Sequence, residues 1–259
     1  MLLVIDNGNT NGVFAIYDGE RQFGEWRCSS DPRRTSDEYA VWLTQLMRLV
    51  NLGPDDITAV ALSNVVPAAD RSLRLLSRNY LGCEPVSVHE TLQSANIPIR
   101  MARPEQVGAD RLANARAAHE RYTGPMIIVD FGTATTFDVI DPDGGYSGGV
   151  IAPGVNLSLE ALYMAAARLP RIPVGKPAQV VGDDTISAMQ SGVFWGYVSL
   201  IEGLIARIDA ERERQHRVIA TGGLAPLFES VCDAIHHVDL DLTLRGVRLL
   251  YEGHCARSA

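Results

Sequence analysis

The stretch VIDNGNTNGVFAIYDG, residues 4–19, decides the fold. An apolar strand ends in Asp6, a turn of Asn, Gly and Thr follows, and a second apolar strand begins near Gly12. Asn-Gly is a common two-residue hairpin signal, so the stretch predicts two antiparallel strands. A hairpin alone does not account for a carboxylate at the tip of a buried strand, because an unused carboxylate there costs stability.

The same pattern returns in the second half of the chain. MIIVDFGTATTFDVID (126–141) repeats the apolar strand, the strand-end carboxylate and the polar turn at an offset of 124 residues, which aligns Asp130 with Asp6 and Phe137 with Val13. Two unrelated hairpins would look alike at this length, so the remaining elements matter. Two similar α/β halves facing each other would place the two turns on opposite walls of one cleft.

The other predicted elements form a series in the first half, and a similar series restarts in the second half. Hydrophobic periodicity and turn residues predict the following strands and helices. In the first half these are strands 2–6, 12–17 and 21–27, a helix from Ser36 as N-cap, strand 57–66, helix 67–79 and strand 84–88. In the second half they are a strand pair at 126–141, helices 156–168 and 184–210, strand 218–223 and a final helix.

Composition bounds the class of protein. The 259 residues are 46% hydrophobic, which is enough for a core, and the net charge of −8 argues against a nucleic-acid partner. No apolar run is long enough to span a bilayer, so no membrane association is expected. The N-terminus lacks a signal peptide, and the four cysteines form no CxxC pair, which predicts reduced thiols in a cytoplasmic protein.

The two Asp-Gly turns predict a nucleotide site. Turns of Gly, Asn and Thr expose backbone N–H groups to an anion such as phosphate. A carboxylate beside a phosphate needs a cation between the two anions, so Asp6 or Asp130 implies a metal ion or ordered water. The chain has neither GxxxxGK[ST] nor GxGxxG, and Lys176 is its only lysine, so arginine, backbone amides and cations must neutralise the phosphates.

Two further stretches allow more than one interpretation. In VGADR (107–111), Asp110 and Arg111 are either a first-turn carboxylate with a solvated arginine, or a general base with an anion-binding side chain, on a helix predicted over 103–124. ATGGLA (220–225) is either an ordinary strand-to-helix turn or a place where a flat ring approaches the backbone. No zinc spacing of histidines and no GxSxG elbow is present.

Seven motifs in the same order resemble the type III pantothenate kinases over nearly the whole chain. They are IDNGNTNGVF, RRTSDEY (33–39), VGADR, VDFGTATTFD (129–138), GGVIAPG (148–154), TISAMQSG (185–192) and ATGGLAP (220–226). The resemblance implies two duplicated ribonuclease-H-like α/β domains of the actin and sugar-kinase superfamily, residues 1–117 and 118–259, with a nucleotide cleft between them. It also implies a homodimer that phosphorylates pantothenate in the first step of coenzyme A synthesis, using ATP, Mg²⁺ and a monovalent cation, K⁺ or NH₄⁺.

The resemblance also assigns roles by position. It makes Asp110 the general base and Asp130 the ligand of the monovalent cation, while Asp6 holds the divalent ion through water. The implied ATP contacts are Asp6, Asn7, Gly8, Asn9, Thr10, Asn11, Gly12, Val13 and Thr133. The implied pantothenate contacts are Met101, Gly108, Ala109, Asp110, Arg111 and Thr185.

Three single positions and one pair of residues depart from the family pattern. Asn7 replaces an apolar residue, Gly12 replaces a threonine, and Met101 replaces a tyrosine. An Asp183-Asp184 pair stands in place of Lys-Asn, which makes the field near a carboxylate substrate more negative. The alternatives to a pantothenate kinase are a kinase of the same fold for another hydroxylated metabolite, a nucleotide-binding regulator without chemistry, and a structural dimer without ligand.

Overall fold

A computed structural model describes residues 1–95, 97–165 and 169–258. Its strands are β1 (Leu2–Asn7), β2 (Asn11–Asp18), β3 (Arg21–Ser29), β4 (Ala59–Asn64), β5 (Pro85–Ser87), β6 (Met126–Phe131), β7 (Ala134–Ile140), β8 (Tyr146–Pro153), β9 (Arg217–Thr221) and β10 (His237–Val238). Its helices are α1 (Ser36–Arg48), α2 (Pro67–Tyr80), α3 (Val88–Ala95), α4 (Ala109–Arg121), α5 (Val155–Ala165), α6 (Thr185–Glu211), α7 (Ala225–Glu229) and α8 (Leu242–Ser258).

The strands form two sheets with the same topology. The first has the order β3-β2-β1-β4-β5, and the second, read from its other edge, has the order β8-β7-β6-β9-β10. In each sheet the first strand pairs antiparallel with the next one in the chain and parallel with the strand on its other side. This confirms the predicted pair of similar α/β halves.

The two hairpins differ by one residue in their turns. Asp6 lies opposite Val13 in the first sheet, whereas Asp130 lies opposite Thr136 in the second. The expected alignment of Phe137 with Val13 is therefore wrong by one position, because the second turn is one residue shorter. Val13 and Thr136 are 123 residues apart. The bulges in the outer strand pairs, at Ile16/Tyr17 and at Val139/Ile140, are separated by the same number of residues.

The chain divides into two compact units. Unit 1 comprises Met1–Pro98, Ala102–Ala117 and Leu242–Ala259, and unit 2 comprises Ile99–Met101 and Ala118–Asp241. The division into residues 1–117 and 118–259 differs from these units in two segments, because Ile99–Met101 belongs to unit 2 and α8 packs in unit 1. Leu244, Val247 and Leu250 of α8 share a buried apolar cluster with Val4 of β1.

Strand alternation decides which residues reach the faces of each sheet. In β1, Leu3 and Ile5 join the core formed with α1 and α2, while Val4 faces α4 and α8. In β6, Ile127 and Val129 join the core formed with α6. The carboxylates at the strand ends have the other parity, so Asp6 shares the face of Val4 and Asp130 lies on the face away from the α6 core.

Several element boundaries differ from those predicted. The N-cap of α1 is Thr35 rather than Ser36, since the Thr35 hydroxyl accepts from the Glu38 N–H and the Glu38 carboxylate accepts from the Thr35 N–H. The helix predicted over 103–124 is a 3₁₀ turn at Pro104–Gln106 followed by α4. The helix predicted over 156–168 corresponds to α5. Residues 166–168 of the predicted range lie outside the described part of the chain.

The described residues contain no helix that is long and apolar enough to cross a membrane. All four cysteines are free thiols.

Candidate active site

In unit 1 the polar turn between β1 and β2 is exposed at its tip. The Gly8 N–H donates to the Asn11 carbonyl at 3.0 Å, which closes the turn, and the Ser30 N–H donates to the Thr10 carbonyl at 2.9 Å. Asn9, Thr10 and Asn11 are exposed. The turn therefore offers small polar side chains and backbone groups of the kind that bind an anion.

Asp6, at the base of this turn, lies near Asp110. The Ser63 hydroxyl at the end of β4 donates to Asp6 Oδ1 at 2.9 Å. Burial and, after it, the negative charge of Asp110 raise the pKa of Asp6 from 3.8 to about 7, and the hydrogen bond from Ser63 opposes that shift. A cation bound beside two carboxylates that repel each other in this way would relieve the repulsion.

Helix α4 brings Asp110 to this place. Ala109 and Ala113 pack in the same apolar cluster as Val4 of β1, and that cluster covers the face of the sheet to which Asp6 belongs. Asp110 occupies the first turn of α4, and its Oδ1 accepts from the Arg111 N–H at 2.8 Å. The carboxylate is thereby oriented by the backbone, and it remains partly exposed.

Gly108 is required by the position of that carboxylate. A Cβ at residue 108 would overlap Asp110 Oδ1. Gly108 also starts the helix, because its carbonyl accepts from the Leu112 N–H at 3.2 Å. The small residue in GADR therefore leaves room for the acid.

The donors around Asp6 fit a hard divalent ion bound in part by substrate phosphates. Mg²⁺ takes oxygen ligands and commonly uses one or two carboxylates, with waters and phosphate oxygens completing the shell. Asp6 offers a carboxylate with a second one, that of Asp110, nearby. Within the described residues no group of three or more His, Cys, Asp or Glu side chains could hold a metal by themselves.

Replacing Asp6 by asparagine is expected to stabilise the protein free of ATP and divalent ions at pH 8 but not at pH 4. The folded-state pKa of about 7 lies above the ordinary 3.8, so ionisation of Asp6 opposes folding increasingly as the pH rises from about 4 to 7. Asparagine does not ionise and avoids a cost of up to about 4 kcal/mol, less where water screens the charge. Urea unfolding at both pH values measures the difference.

The exposed Asp18 at the end of β2 provides the matched control. Asp18→Asn should change the free energy of unfolding by less than about 0.5 kcal/mol at either pH. An Asp6→Asn gain of equal size at pH 4 and pH 8 would contradict the assignment.

In unit 2, Met101 lies in a short segment that is held by Arg100. The Arg100 N–H donates to the Tyr146 carbonyl at 2.8 Å, and its guanidinium pairs with Asp141 at 2.9 Å and with Asp143. The Arg100 guanidinium, assisted by the Gly145 N–H, lowers the pKa of Asp143 to about 2. The segment is thus tied to the connection between β7 and β8.

The second polar turn carries Asp130 and the exposed Thr133. Gly132 and Gly154 flank Thr133, and the Gly154 N–H donates to the Thr133 carbonyl at 3.1 Å. Gly222 approaches from the end of β9 with φ of +89°. A Cβ at residue 222 would lie 2.8 Å from Asp130 Oδ1 and 2.7 Å from the carbonyl oxygen of residue 131, so only glycine fits there.

Thr185, the remaining predicted contact in unit 2, is the exposed first residue of α6 and lines an apolar cavity of about 760 Å³. Asp184 is the N-cap, and its carboxylate accepts from the Ser187 N–H at 2.7 Å, which lowers its pKa. One of the two unusual acids before Thr185 therefore has a role in helix capping.

Two residues near the carboxylates were not among those predicted. Ser63 bonds Asp6, and its signal in the sequence is a polar pair at the end of the apolar stretch AVALSN (59–64). Gly222 lies against Asp130. From the sequence alone, ATGGLA was either an ordinary strand-to-helix turn or a place where a flat ring approaches the backbone. It is a strand-to-helix turn, since β9 ends at Thr221 and α7 begins at Ala225. The turn also packs against the Asp130 side chain.

Two duplicated sheets, each with a carboxylate at a strand end beside a Gly-rich polar turn, define a protein of the actin and sugar-kinase class. The fold is similar to that of a ROK hexokinase from Thermus thermophilus, with a TM-score of 0.50 and 14% identity over 100% of this chain and 99% of that one. That similarity concerns the fold alone.

The family follows from closer relatives. The family model of type III pantothenate kinase matches residues 2–207. The chain is 57% identical to the type III pantothenate kinase of Paramagnetospirillum magneticum over 247 residues, 95% of each chain. It is 54% identical to that of Phenylobacterium zucineum over 258 residues, 100% of each. The chain belongs to the type III pantothenate kinase family, whose activity is the phosphorylation of pantothenate in coenzyme A biosynthesis.

Proposed function

We propose that the chain transfers the γ-phosphoryl group of ATP to the primary hydroxyl of pantothenate, giving 4'-phosphopantothenate. The observation that carries the assignment of the site is the pair formed by Asp6 and Asp110, in which the charge of Asp110 raises the pKa of Asp6. Asp110 takes the proton from the attacking hydroxyl, and Asp6 holds the divalent ion through water. A positioned base contributes a factor of about 10² to 10⁴, and orientation with charge neutralisation supplies much of the rest.

The remaining contacts are proposed by position. Residues Asp6–Val13, called the phosphate loop below, and Thr133 bind ATP. Met101, Gly108–Arg111 and Thr185 bind pantothenate. The exposure of the loop tip and of Thr133 and Thr185 supports these roles, since each is open to a ligand. The assignment treats residues 1–117 and 118–259 as the two duplicated halves.

We further propose that Asp130 holds a monovalent cation, K⁺ or NH₄⁺, which offsets phosphate charge. The support is the charge balance, because the chain has one lysine and a net charge of −8. The close approach of Gly222 to Asp130 leaves no room for a cationic side chain from residue 222.

Phosphopantothenate should form from ATP, Mg²⁺ and pantothenate when KCl or NH₄Cl is present, and its formation should fall at least about tenfold when NaCl replaces them. Mass spectrometry of the product measures the rate at constant ionic strength. Equal rates in all three salts would contradict the monovalent site, whereas ATP turnover without phosphopantothenate would contradict pantothenate as the acceptor.

We propose that the enzyme is a homodimer in which a second copy covers the apolar surface around α5. Leu157, Met164 and Ile186 are each about half exposed or more, beside the apolar cavity that Thr185 lines. An exposed apolar patch of this kind is typical of an interface. Met164→Glu should shift the mass in light scattering from dimer to monomer, while Leu49→Glu, at an equally exposed leucine on unit 1, should not. A dimeric Met164→Glu protein would contradict this interface.

The four free cysteines support a cytoplasmic location, because thiols persist in that reducing compartment.

A further inference from the structure

We propose that Asn7 and Gly12 act as one unit that positions the phosphate loop, rather than as two separate contacts to ATP. The proposal rests on the proposed assignment of that loop to ATP. The two residues are register partners next to the turn of the β1–β2 hairpin, and Asn64 is the partner of Asn7 on its other side, in β4.

The side-chain amide of Asn7 makes its hydrogen bonds within the protein. Asn7 is fully buried. Its Nδ2 donates to Asn64 Oδ1 at 2.9 Å, and its Oδ1 accepts from the Ser30 hydroxyl at 3.4 Å. Asn64 continues the network, because its Oδ1 accepts from the Val66 N–H at 3.0 Å and its Nδ2 donates to the Val66 carbonyl at 3.1 Å. The network therefore joins the end of β1 to the segments that follow β3 and β4.

Gly12 supplies the space for that amide. A Cβ at residue 12 would lie 2.9 Å from Asn7 Oδ1 and 3.3 Å from the Phe14 ring. The backbone of Gly12 does not have a positive φ, so its conformation does not demand glycine. Glycine is needed there because of the Asn7 amide. The Oδ1 atom of Asn7 is held by a buried hydrogen-bond network and cannot move aside without breaking a hydrogen bond.

The loop also bonds directly to the segment that carries Ser30. The Ser30 N–H donates to the Thr10 carbonyl at 2.9 Å, so the Ser30 backbone holds the tip of the loop while its hydroxyl bonds Asn7 at the base. A shift of the Asn7 amide is therefore passed to the backbone groups that face the phosphates.

A double-mutant cycle tests the coupling. Gly12→Ala and Asn7→Ala should each raise KM for ATP about threefold to tenfold and leave KM for pantothenate within about twofold, since each disturbs the same network. Adding Gly12→Ala to Asn7→Ala should then change KM for ATP by less than about twofold, because Asn7 Oδ1, the atom closest to the new methyl group, is gone and only the wider contact with the Phe14 ring remains. Steady-state kinetics on the four folded proteins, with their melting temperatures, provide the comparison.

The outcomes separate the proposal from its premise. Effects of the two substitutions that multiply in the double variant would overturn the coupling, as would losses in melting temperature with no change in KM for ATP. Asn9→Asp, at an exposed position of the same loop, tests the premise, because a negative charge there must raise KM for ATP if phosphates bind at the loop. An unchanged KM in Asn9→Asp would overturn the loop assignment itself, whatever the cycle gives.

Discussion

Asp110→Asn is expected to lower kcat for pantothenate phosphorylation about 10²-fold to 10⁴-fold while leaving KM for ATP within about threefold. Asparagine keeps the size of the side chain and an oxygen that can accept from the Arg111 N–H, as Asp110 Oδ1 does at 2.8 Å. It cannot take a proton from the substrate hydroxyl. Steady-state rates with ATP and pantothenate varied independently separate a loss of chemistry from a loss of binding.

Glu105→Gln is the matched control for this substitution. Glu105 is an exposed carboxylate in the 3₁₀ turn just before α4, so its replacement also removes one negative charge from the segment. It should leave kcat within about twofold. If kcat of Asp110→Asn fell by less than about tenfold, that result would contradict the role of Asp110 as the base. An equal fall in both variants would indicate that kcat depends on the charge of the segment rather than on a proton acceptor at residue 110.

Asp110→Asn should also change the neighbouring acid. Since the charge of Asp110 contributes to the raised pKa of Asp6, its removal should move the pKa of Asp6 back towards the ordinary value. Desolvation is the larger cause of the shift, so the return is partial. Carboxyl titration by NMR with labelled aspartate, in the protein free of ligands, measures it.

Gly222→Ala is expected to lower kcat/KM about 10²-fold and to lower the free energy of unfolding by about 1 to 3 kcal/mol. The φ of +89° is unfavourable for alanine, and the new Cβ would lie 2.8 Å from Asp130 Oδ1. The backbone carbonyl of residue 131, at 2.7 Å, cannot rotate away as a side chain can. Either Asp130 or the turn must therefore move, and both changes disturb the proposed cation site.

Gly223→Ala separates this effect from a general intolerance of the turn. A Cβ at residue 223 meets no atom within 4 Å, and the residue does not have a positive φ. Its replacement should leave kcat/KM within about threefold. Thermal unfolding gives the stability of both proteins, and the K⁺ concentration at half-maximal rate should rise in Gly222→Ala alone. A normal K⁺ response in a folded Gly222→Ala protein would contradict the link to Asp130.

Local signals in the sequence predicted the hairpins, most of the strands and helices and the duplication, but they missed α3, β8 and β10. Asn-Gly turns, apolar runs and helix stop signals act over a few residues, so they can be found without knowledge of the rest of the chain. The details that failed depend on geometry at the ends of elements. The N-cap of α1 moved from Ser36 to Thr35, and the second hairpin turn proved one residue shorter than the first.

The contacts within the candidate site could not be predicted in this way. Asp6 and Asp110 are 104 residues apart, and their proximity depends on the parity of β1 and on the packing of α4 against the face that Val4 shares. Gly222 and Asp130 meet because β9 lies parallel to β6, so the ends of the two strands fall at the same edge of the sheet. The position of α8 in unit 1 likewise depends on a long-range apolar contact.

The sequence by itself determined the fold class, the duplication, the family and which residue types could carry the chemistry, because these depend on periodicity, turn residues and motif order along the chain. Only the tertiary structure decided that Asp6 lies beside Asp110 and Ser63, that Gly222 makes room for Asp130, and that Gly12 makes room for Asn7. The physical reason is that charge repulsion and steric overlap act through space over a few ångströms, whereas a sequence records only separation along the backbone.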